Sequence, residues 1–435
     1  MKMKKAISLA VAASLAAVTA VSFTGCEWFS SKKKDAVNSF EVATDLGYTP
    51  STGSWLASSG ENEHSEAYRM YLEARASGYT GTFMDFLKEI NYGDSTSVVA
   101  NALKSSVTVR AGNGLGSGVI YEAKNGGYYI ATNYHVVCND TTHSVWNSIY
   151  VTPYGESSAV SATYVGGVVE NDIAVLYAEM SSSAVRPIVS RESDPVVGEN
   201  IYAVGNTLGE GISVLSGIVS VAAEEIQMAR ADGKSGSVVM TVTRIDAGVN
   251  HGNSGGGLFD RNGHLIGLVN GGKDISVNGS DTVPVPGFGY AIPYSIVSSC
   301  VQNIIAQYET AIASDLAADA YCNGALVARL GELETVASSA SLGEDGLVYI
   351  TESVRLSSLD GQSPFSSEAE GAVITKVTVC NQNGVQLYSK VIRRKHEMAA
   401  VLMNVRKNNR VVLTLSNGST LSADYTENSH FKLYK

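Results

Sequence analysis

The sequence predicts a mainly β protein centred on a pair of small barrels, with a short helical segment before them and a smaller α+β domain after them. Short β-type runs recur between Val98 and Ile292, separated by Gly, Asn and Asp, with no helical periodicity among them. This stretch is long enough for two small barrels. The 43 glycines and the 17% charged residues fit a turn-rich globular chain.

The runs that define the barrels are Val107–Arg110, Gly118–Tyr121, Tyr128–Ala131, Asp172–Leu176, Ile201–Val204 and Val238–Val242. Ile296, Val297, Cys300, Val301, Ile304, Ile305, Tyr308 and Ile312 then repeat at three and four, which predicts a helix leaving the barrels. The rest of the chain mixes strands with one helix near Glu397–Val405. Upstream, Gly47-Tyr-Thr with Trp55-Leu56 recurs 31 residues later as Gly78-Tyr-Thr with Phe86-Leu87, and Ala67, Met70, Tyr71 and Ala74 lie at helical spacing between them. Residues 45–92 read as two small helical units, similar to Gly-Tyr/Phe-Thr-Gly-Thr segments of bacterial surface proteins. They serve either as a spacer or by docking on the next domain.

Lys2, Lys4 and Lys5 precede the apolar run Ala6–Val21, the pattern of a secretory signal peptide. Phe23-Thr24-Gly25-Cys26 follows and resembles the bacterial lipobox, in which the cysteine carries lipid and becomes the new N-terminus. An ordinary signal peptide with an incidental cysteine is the competing reading. The net charge is -11, and without those three lysines 28 basic residues face 42 acidic ones. Such a surface excludes a sequence-independent grip on nucleic acid and is repelled by anionic lipid, so membrane attachment is expected through the lipid on Cys26. Cys138, Cys300, Cys322 and Cys380 have irregular spacings with no C-x-x-C pair, which argues against zinc; export permits disulfides in any of three pairings, and buried free thiols are expected for most of the four.

Three segments carry chemistry: Thr132-Asn-Tyr-His135-Val-Val, Asn171-Asp172-Ile-Ala-Val-Leu176 and Gly252-Asn253-Ser254-Gly-Gly256. A serine hydroxyl needs an imidazole to take its proton, and the imidazole needs a carboxylate to fix its tautomer. The order His, Asp, Ser at intervals of 37 and 82 residues places His135 and Asp172 in the first barrel and Ser254 in the second. The glycines around Ser254 let backbone N–H groups turn inward as an oxyanion hole, assigned to residues Gly252, Asn253 and Ser254, with Gly252 and Ser254 the expected donors. Taken singly, Asn171-Asp172 also reads as a strand-start turn and His135 as a core histidine. The G-x-S-x-G around Ser254 also fits a nucleophile elbow, but that motif requires a helix after the serine, and three glycines follow instead.

These segments resemble the HtrA (DegP-like) family of serine proteases. Gly114-Leu-Gly-Ser-Gly118-Val-Ile, Gly205-Asn-Thr-Leu-Gly209, Ser216-Gly-Ile-Val-Ser220, Gly255-Gly-Gly-Leu-Phe-Asp260 and Gly289-Tyr-Ala-Ile-Pro293 extend the likeness in collinear order. His251 and Gly257 stand where the family usually carries prolines. The resemblance implies two six-stranded chymotrypsin-like barrels, a catalytic triad of His135, Asp172 and Ser254, and no metal or organic cofactor. It also implies unfolded polypeptides as substrates and assembly as a homo-oligomer. Gly248 and Val249 fall on the base and wall of the primary pocket, with His251 at its rim. Without a carboxylate there, cuts are expected after small aliphatic residues. Asp246 matches a family aspartate and is expected to be structural, while His64, His143, His264, His396 and His430 are expected to be solvated or incidental.

Leu330-Gly331-Glu332, Gly371–Val377, the helix near Glu397–Val405 and Val411–Leu415 are similar in order to a PDZ domain; a packing module without peptide affinity is the rival. The resulting divisions are 1–25 signal peptide, 26–44 tether, 45–92 helical repeats, 95–295 protease domain, 296–323 connecting helix and 324–435 PDZ-like domain. The expected activity is an exported, lipid-anchored endopeptidase of unfolded proteins at the cell envelope. The alternative is a lipoprotein that holds polypeptides without cutting them.

Overall fold

The computed structural model describes residues 95–180, 185–191, 193–277, 281–313, 324–342 and 348–434. The signal peptide, Cys26, the tether and the helical repeats lie outside them, as does Cys322. All the described residues fall in one compact unit.

After helix α1 (Ser95–Lys104), the first sheet is built from β1 (Ser106–Ala111), β2 (Gly114–Lys124), β3 (Gly127–Thr132), β4 (Ile149–Pro153), β5 (Thr163–Val168) and β6 (Ile173–Ala178). They pair antiparallel in the order β4-β1-β2-β3-β6-β5. The two residues Val160–Ser161 lead into β5 and pair with β4, and Ala162 N–H donates to Ile149 O at 2.9 Å. That return closes the sheet into a six-stranded barrel.

The second barrel uses β7 (Asn200–Gly205), β8 (Ser213–Ala229), β9 (Ser237–Ile245), β10 (Gly257–Asp260), β11 (His264–Val277) and β12 (Asp281–Pro293). The order β11-β10-β7-β8-β9-β12 is closed by pairing of β11 with β12. Each expected run lies within a strand except Asp172, which stands just before β6. Among the described residues the strands are joined by loops with one helical turn, α2 (Tyr134–Val137), two 3-10 turns at Val169–Asn171 and Thr207–Gly209, and two-residue strands at Cys138–Asn139, Ser144–Val145 and Val189–Ser190.

Side-chain alternation explains why these strands read as nearly continuous apolar runs. Ile120, Ile130, Ala174 and Leu176 fill the first barrel, and their neighbours Val119, Tyr129, Ala131 and Val175 face outward into a second core. In the second barrel Leu258 and Val269 point in, while Phe259 and Leu268 point to that same outer core. Helix α3 (Tyr294–Ala313) covers it with Ile296, Val297, Cys300, Val301 and Ile304. Both strand faces are therefore buried.

The helix begins two residues before the expected division at 296, because Pro293 ends β12 and Tyr294 starts the first turn. The C-terminal module holds β13 (Ala325–Ala328), β14 (Gly331–Leu342), β15 (Val348–Leu359), β16 (Val373–Cys380), β17 (Gln386–Val391), helix α4 (Lys395–Asn404), β18 (Asn409–Leu415), β19 (Thr420–Tyr425) and β20 (Phe431–Tyr434). Its main sheet runs β14-β15-β16-β18-β19, β17 pairs on β16, and β13 pairs with β20. Val354, Leu356, Ile374, Val377, Val401, Leu413 and Tyr425 form its own core. Cys138, Cys300 and Cys380 are free thiols, the first two buried.

The module is fastened to the barrels by polar contacts at two places. The buried Asn303 amide on α3 donates to Leu326 O at 2.7 Å and to Met403 O at 2.6 Å, and accepts from Leu326 N–H at 3.0 Å. At the other, Arg394 donates to Ala223 O at 2.8 Å, Lys395 pairs with Glu225 at 2.6 Å, and His396 Nε2 meets Asp194 at 2.6 Å. His396 is therefore a buried docking residue rather than an incidental one. His264 and His143 also differ from expectation: His264 faces Asp260 at 3.3 Å, and His143 meets Asp232 O at 2.9 Å.

Truncating Asn303 would leave the Leu326 N–H and carbonyl without this partner, at about 1–3 kcal/mol each, while Met403 O keeps the Arg406 guanidinium at 2.7 Å. Asn303→Ala is expected to lower stability by about 3 kcal/mol in urea unfolding, with the C-terminal module becoming protease-sensitive before the barrels.

Candidate active site

His135 sits on α2, directly after β3, and Asp172 sits directly before β6. Because β3 and β6 pair antiparallel with Thr132 opposite Ala174, both residues emerge at the same end of neighbouring strands. Asp172 adopts a left-handed backbone (φ 50, ψ 47), tolerable for aspartate, and Asn133 Nδ2 donates to its carbonyl at 2.8 Å. The Asp172 side chain is buried, and one oxygen accepts the His135 backbone N–H at 2.9 Å. The other lies 2.6 Å from His135 Nδ1 and accepts Asn270 Nδ2 at 2.6 Å. Held this way, the imidazole presents Nε2 outward, and its side chain keeps 41% of its accessible surface.

Partial desolvation of the ring opposes its charge, but the Asp172 carboxylate beside it and their hydrogen bond outweigh this, so His135 titrates above its ordinary value. Such a histidine stabilises the fold below its ordinary pKa and loses that contribution as pH rises through the raised one. As a base it works only above the raised value.

Ser254 lies on the loop entering β10. Ser117 N–H donates to Ser254 O at 2.8 Å and Gly255 N–H donates to Val269 O at 2.8 Å, which pins the loop to both barrels. Gly255 has φ +83, and a Cβ there would stand 2.2 Å from Ser117 O, so only glycine fits. The Ser254 hydroxyl donates to Asn270 O at 2.9 Å. Among the described residues no hydrogen bond joins it to His135.

The loop expected to form the oxyanion hole is held at two successive peptides. Leu208 N–H donates to His251 O at 2.7 Å, drawing that carbonyl toward the Leu208 loop. The N–H of the same planar trans peptide, that of Gly252, must point the opposite way. Ser117 Oγ donates to Gly252 O at 2.7 Å and fixes the next peptide. Gly252 has φ +91, and a Cβ would fall 2.1 Å from Asn206 O. The Gly252 and Ser254 N–H groups have no acceptor among the described residues. Asn253, assigned to the hole though not as a donor, does not serve it, because its N–H donates to Asn250 O at 3.1 Å. Its side-chain oxygen instead accepts from Thr207 at 2.8 Å.

At the pocket positions, a Cβ on Gly248 would have no atom within 4 Å, so Gly248 borders open space. The Val249 side chain is buried against Gly289, whose missing Cβ would touch it at 2.9 Å. His251 is exposed. Asp246 is structural: its carboxylate accepts the Ile218 N–H at 2.6 Å. Sequence reasoning gave no role to Asn270, Ser117 or Leu208, although Ser117 and Leu208 lie inside segments that carry the family resemblance. Asn270 stands out only as the polar residue ending the apolar run Leu265–Val269.

Residues 116–268 match the family described as a trypsin-like peptidase domain. Among curated proteins the chain is 32% identical over 236 residues to "Serine protease Do-like HtrA" of Lactococcus lactis subsp. cremoris, covering 52% of this chain and 53% of that one. It is 30% identical over 240 residues to "Serine protease HtrA-like" of Staphylococcus epidermidis (52% and 39%), and 32% identical over 199 residues to "Serine protease Do-like HtrA" of Bacillus subtilis (45% and 40%). The chain thus spans about half or less of the length of these relatives. A solved HtrA-type protease with a decapeptide aligns at 19% identity and a TM-score of 0.46, covering 77% of this chain and 97% of that one. The protein carries a trypsin-like peptidase domain and has HtrA/Do-like serine proteases as its relatives.

Two substitutions are expected to move the acidic limb of peptide hydrolysis in opposite directions. Asp172→Asn removes the charge that raises His135, so the limb shifts to lower pH while kcat falls roughly 10,000-fold. Asn270→Ala removes a donor that damps the Asp172 charge, so the limb shifts to higher pH with a loss of roughly tenfold or more. Profiles of kcat/KM against pH check both.

Proposed function

We propose that the protein is a serine endopeptidase acting by acyl-enzyme chemistry on unfolded or misfolded polypeptides. The reading rests above all on Asp172 and His135 locked together beside a Ser254 loop whose Gly252 N–H faces away from Leu208. His135 Nε2 takes the Ser254 proton as Oγ attacks the scissile carbonyl carbon. The developing oxyanion is held by the Gly252 and Ser254 N–H groups. The C–N bond then breaks as His135 returns the proton to the leaving amine, and water, deprotonated by the same histidine, releases the acyl group as a carboxylate. For attack, the Ser254 hydroxyl must leave the Asn270 carbonyl and turn to His135. That resting hydrogen bond is the one observation favouring the alternative, a lipoprotein that holds polypeptides without cutting them.

The same proposal includes attachment to the outer face of the cytoplasmic membrane, or of the envelope, through lipid on Cys26, and assembly as a homo-oligomer. Sequence features and the family resemblance support these parts. The C-terminal module is proposed as a PDZ-like peptide binder. In support, Leu330-Gly331 leads into β14, an edge strand of its sheet, where an extended peptide could add.

Casein digestion by wild type beside Ser254→Ala tests the chemistry: cleavage and fluorophosphonate labelling by wild type alone are expected, and equal retention without cleavage by both would favour the holding role. With Gly248 bordering open space and Val249 filling the wall, most cuts are expected after Val and Ala. Fragment sequencing showing a majority after Arg, Lys or large aromatics would place the pocket elsewhere. Cys26→Ala is expected to move the protein from the membrane to the soluble fraction.

A further inference from the structure

The open edge of β11 carries a charge that the reaction does not use. Up to Leu268, β11 pairs with β10, and Val269 N–H donates to Gly256 O at 2.7 Å. Beyond Val269 its pairing continues only with β12, through Gly271 opposite Tyr290 and Gly272 opposite Gly289. The edge running from Asn270 to Lys273 therefore lies open, and it starts at the residue on which the Ser254 hydroxyl rests. An extended substrate can add there as a strand.

Glycines keep this edge low. A Cβ on Gly271 would meet nothing within 4 Å, and one on Gly272 would come 3.2 Å from Phe288 O and 3.6 Å from Val249 O. Gly272, Phe288 and Val249 thus converge at the rim of the primary pocket. Two cations stand over the Phe288 ring: Arg244 at 5.1 Å and Lys273 at 5.4 Å from its centre. Arg244 is balanced by Glu224 at 3.3 Å. Lys273 is exposed and has no carboxylate partner among the described residues. Asp246, the acid nearest in sequence to the pocket residues, is turned to Ile218 N–H.

In a chain of net charge -11 this rim carries an uncompensated positive charge held in place by an aromatic ring. Lys273 lies three residues along the strand from Asn270, about 10 Å at the ordinary rise. A substrate residue three before the cut reaches that point. We propose that Lys273, seated on Phe288, is a specificity determinant that selects an acidic side chain at the third residue before the scissile bond. The proposal rests on the endopeptidase reading.

Three fluorogenic peptides with Val before the cut, differing only by Glu, Gln or Lys three residues before it, test the idea. Wild type is expected to favour Glu over Gln by about three- to fivefold in kcat/KM, as an exposed ion pair allows, and to lose the preference at 0.5 M salt. Lys273→Gln should bring the ratio to one, and Lys273→Glu should favour the Lys peptide. Equal rates for Glu and Gln in wild type, or an unchanged ratio in Lys273→Glu, overturn the proposal. Kd values of the three peptides for the Ser254→Ala variant, by fluorescence anisotropy, give the same ratio without turnover, and equal Kd values overturn it as well. Absence of hydrolysis and of fluorophosphonate labelling in wild type, with the Kd preference intact, would instead overturn the endopeptidase reading and reduce the role of Lys273 to selecting an acidic side chain in binding.

Discussion

The buried Asp172 carboxylate is the constraint on which the site depends. A charge taken out of water must be matched by donors, because an unpaired one is far too costly to keep. Its donors come from both barrels: His135 supplies a backbone N–H and a ring nitrogen from the first, and Asn270 supplies an amide from the second. Moving the barrels apart would strip the carboxylate of a donor. The geometry of the candidate site and the relation between the barrels are thus coupled through this carboxylate. Asn270 takes part twice, because its backbone carbonyl also receives the Ser254 hydroxyl.

The oxyanion loop follows a related logic, with peptide planes as the parts being positioned. Leu208 N–H holds the His251 carbonyl, and Leu208 itself has φ +57, a strained value for a branched side chain that is 65% exposed. The strain is retained where it orients the Gly252 N–H. Ser117 adds a second tie, accepting the Asn206 N–H at 2.7 Å while donating to Gly252 O, so the Leu208 loop and the Gly252 loop are braced on one buried hydroxyl of the first barrel. Preorganised donors of this kind need no rearrangement when charge develops.

How much was legible in the sequence follows from the range of each interaction. The barrels were legible because strand alternation is local: Val107 and Val109, or Ile201 and Ala203, announce their facing within a few residues. His135, Asp172 and Ser254 were legible because each lies in a segment whose neighbours have their own geometric duties, such as the glycines at 252 and 255. Asn270 was not, since its value comes from a carboxylate 98 residues away that no local pattern encodes. The same holds for His396, expected to be incidental: its partner Asp194 lies 202 residues away, and only the docked module brings the two together. Asn253, placed in the hole by its position in the motif, offers it no donor, because a turn back to Asn250 takes its N–H.

The docking contacts show how the C-terminal module can bear on the barrels without entering the site. Arg394, Lys395 and His396 are consecutive, and two of them hold β8 at Ala223 and Glu225. Strand β8 begins at Ser213, whose hydroxyl meets Thr207 at 2.6 Å, and Thr207 holds the Asn253 side chain. Glu224, between the two docked residues, balances Arg244 over Phe288 at the pocket rim. The module therefore grips a strand with one end tied to the Asn253 loop and its middle joined, through Glu224 and Arg244, to Phe288. Asp194, the third anchor, is pushed up by burial, but the hydrogen bond and charge of His396 outweigh this and hold it below the usual carboxylate range. Its contribution is present above the ordinary aspartate pKa and is lost as pH falls through the depressed value. Loss of the Asp194 charge is therefore an acid-side event, below the usual carboxylate range, and is no route to releasing the module at neutral pH.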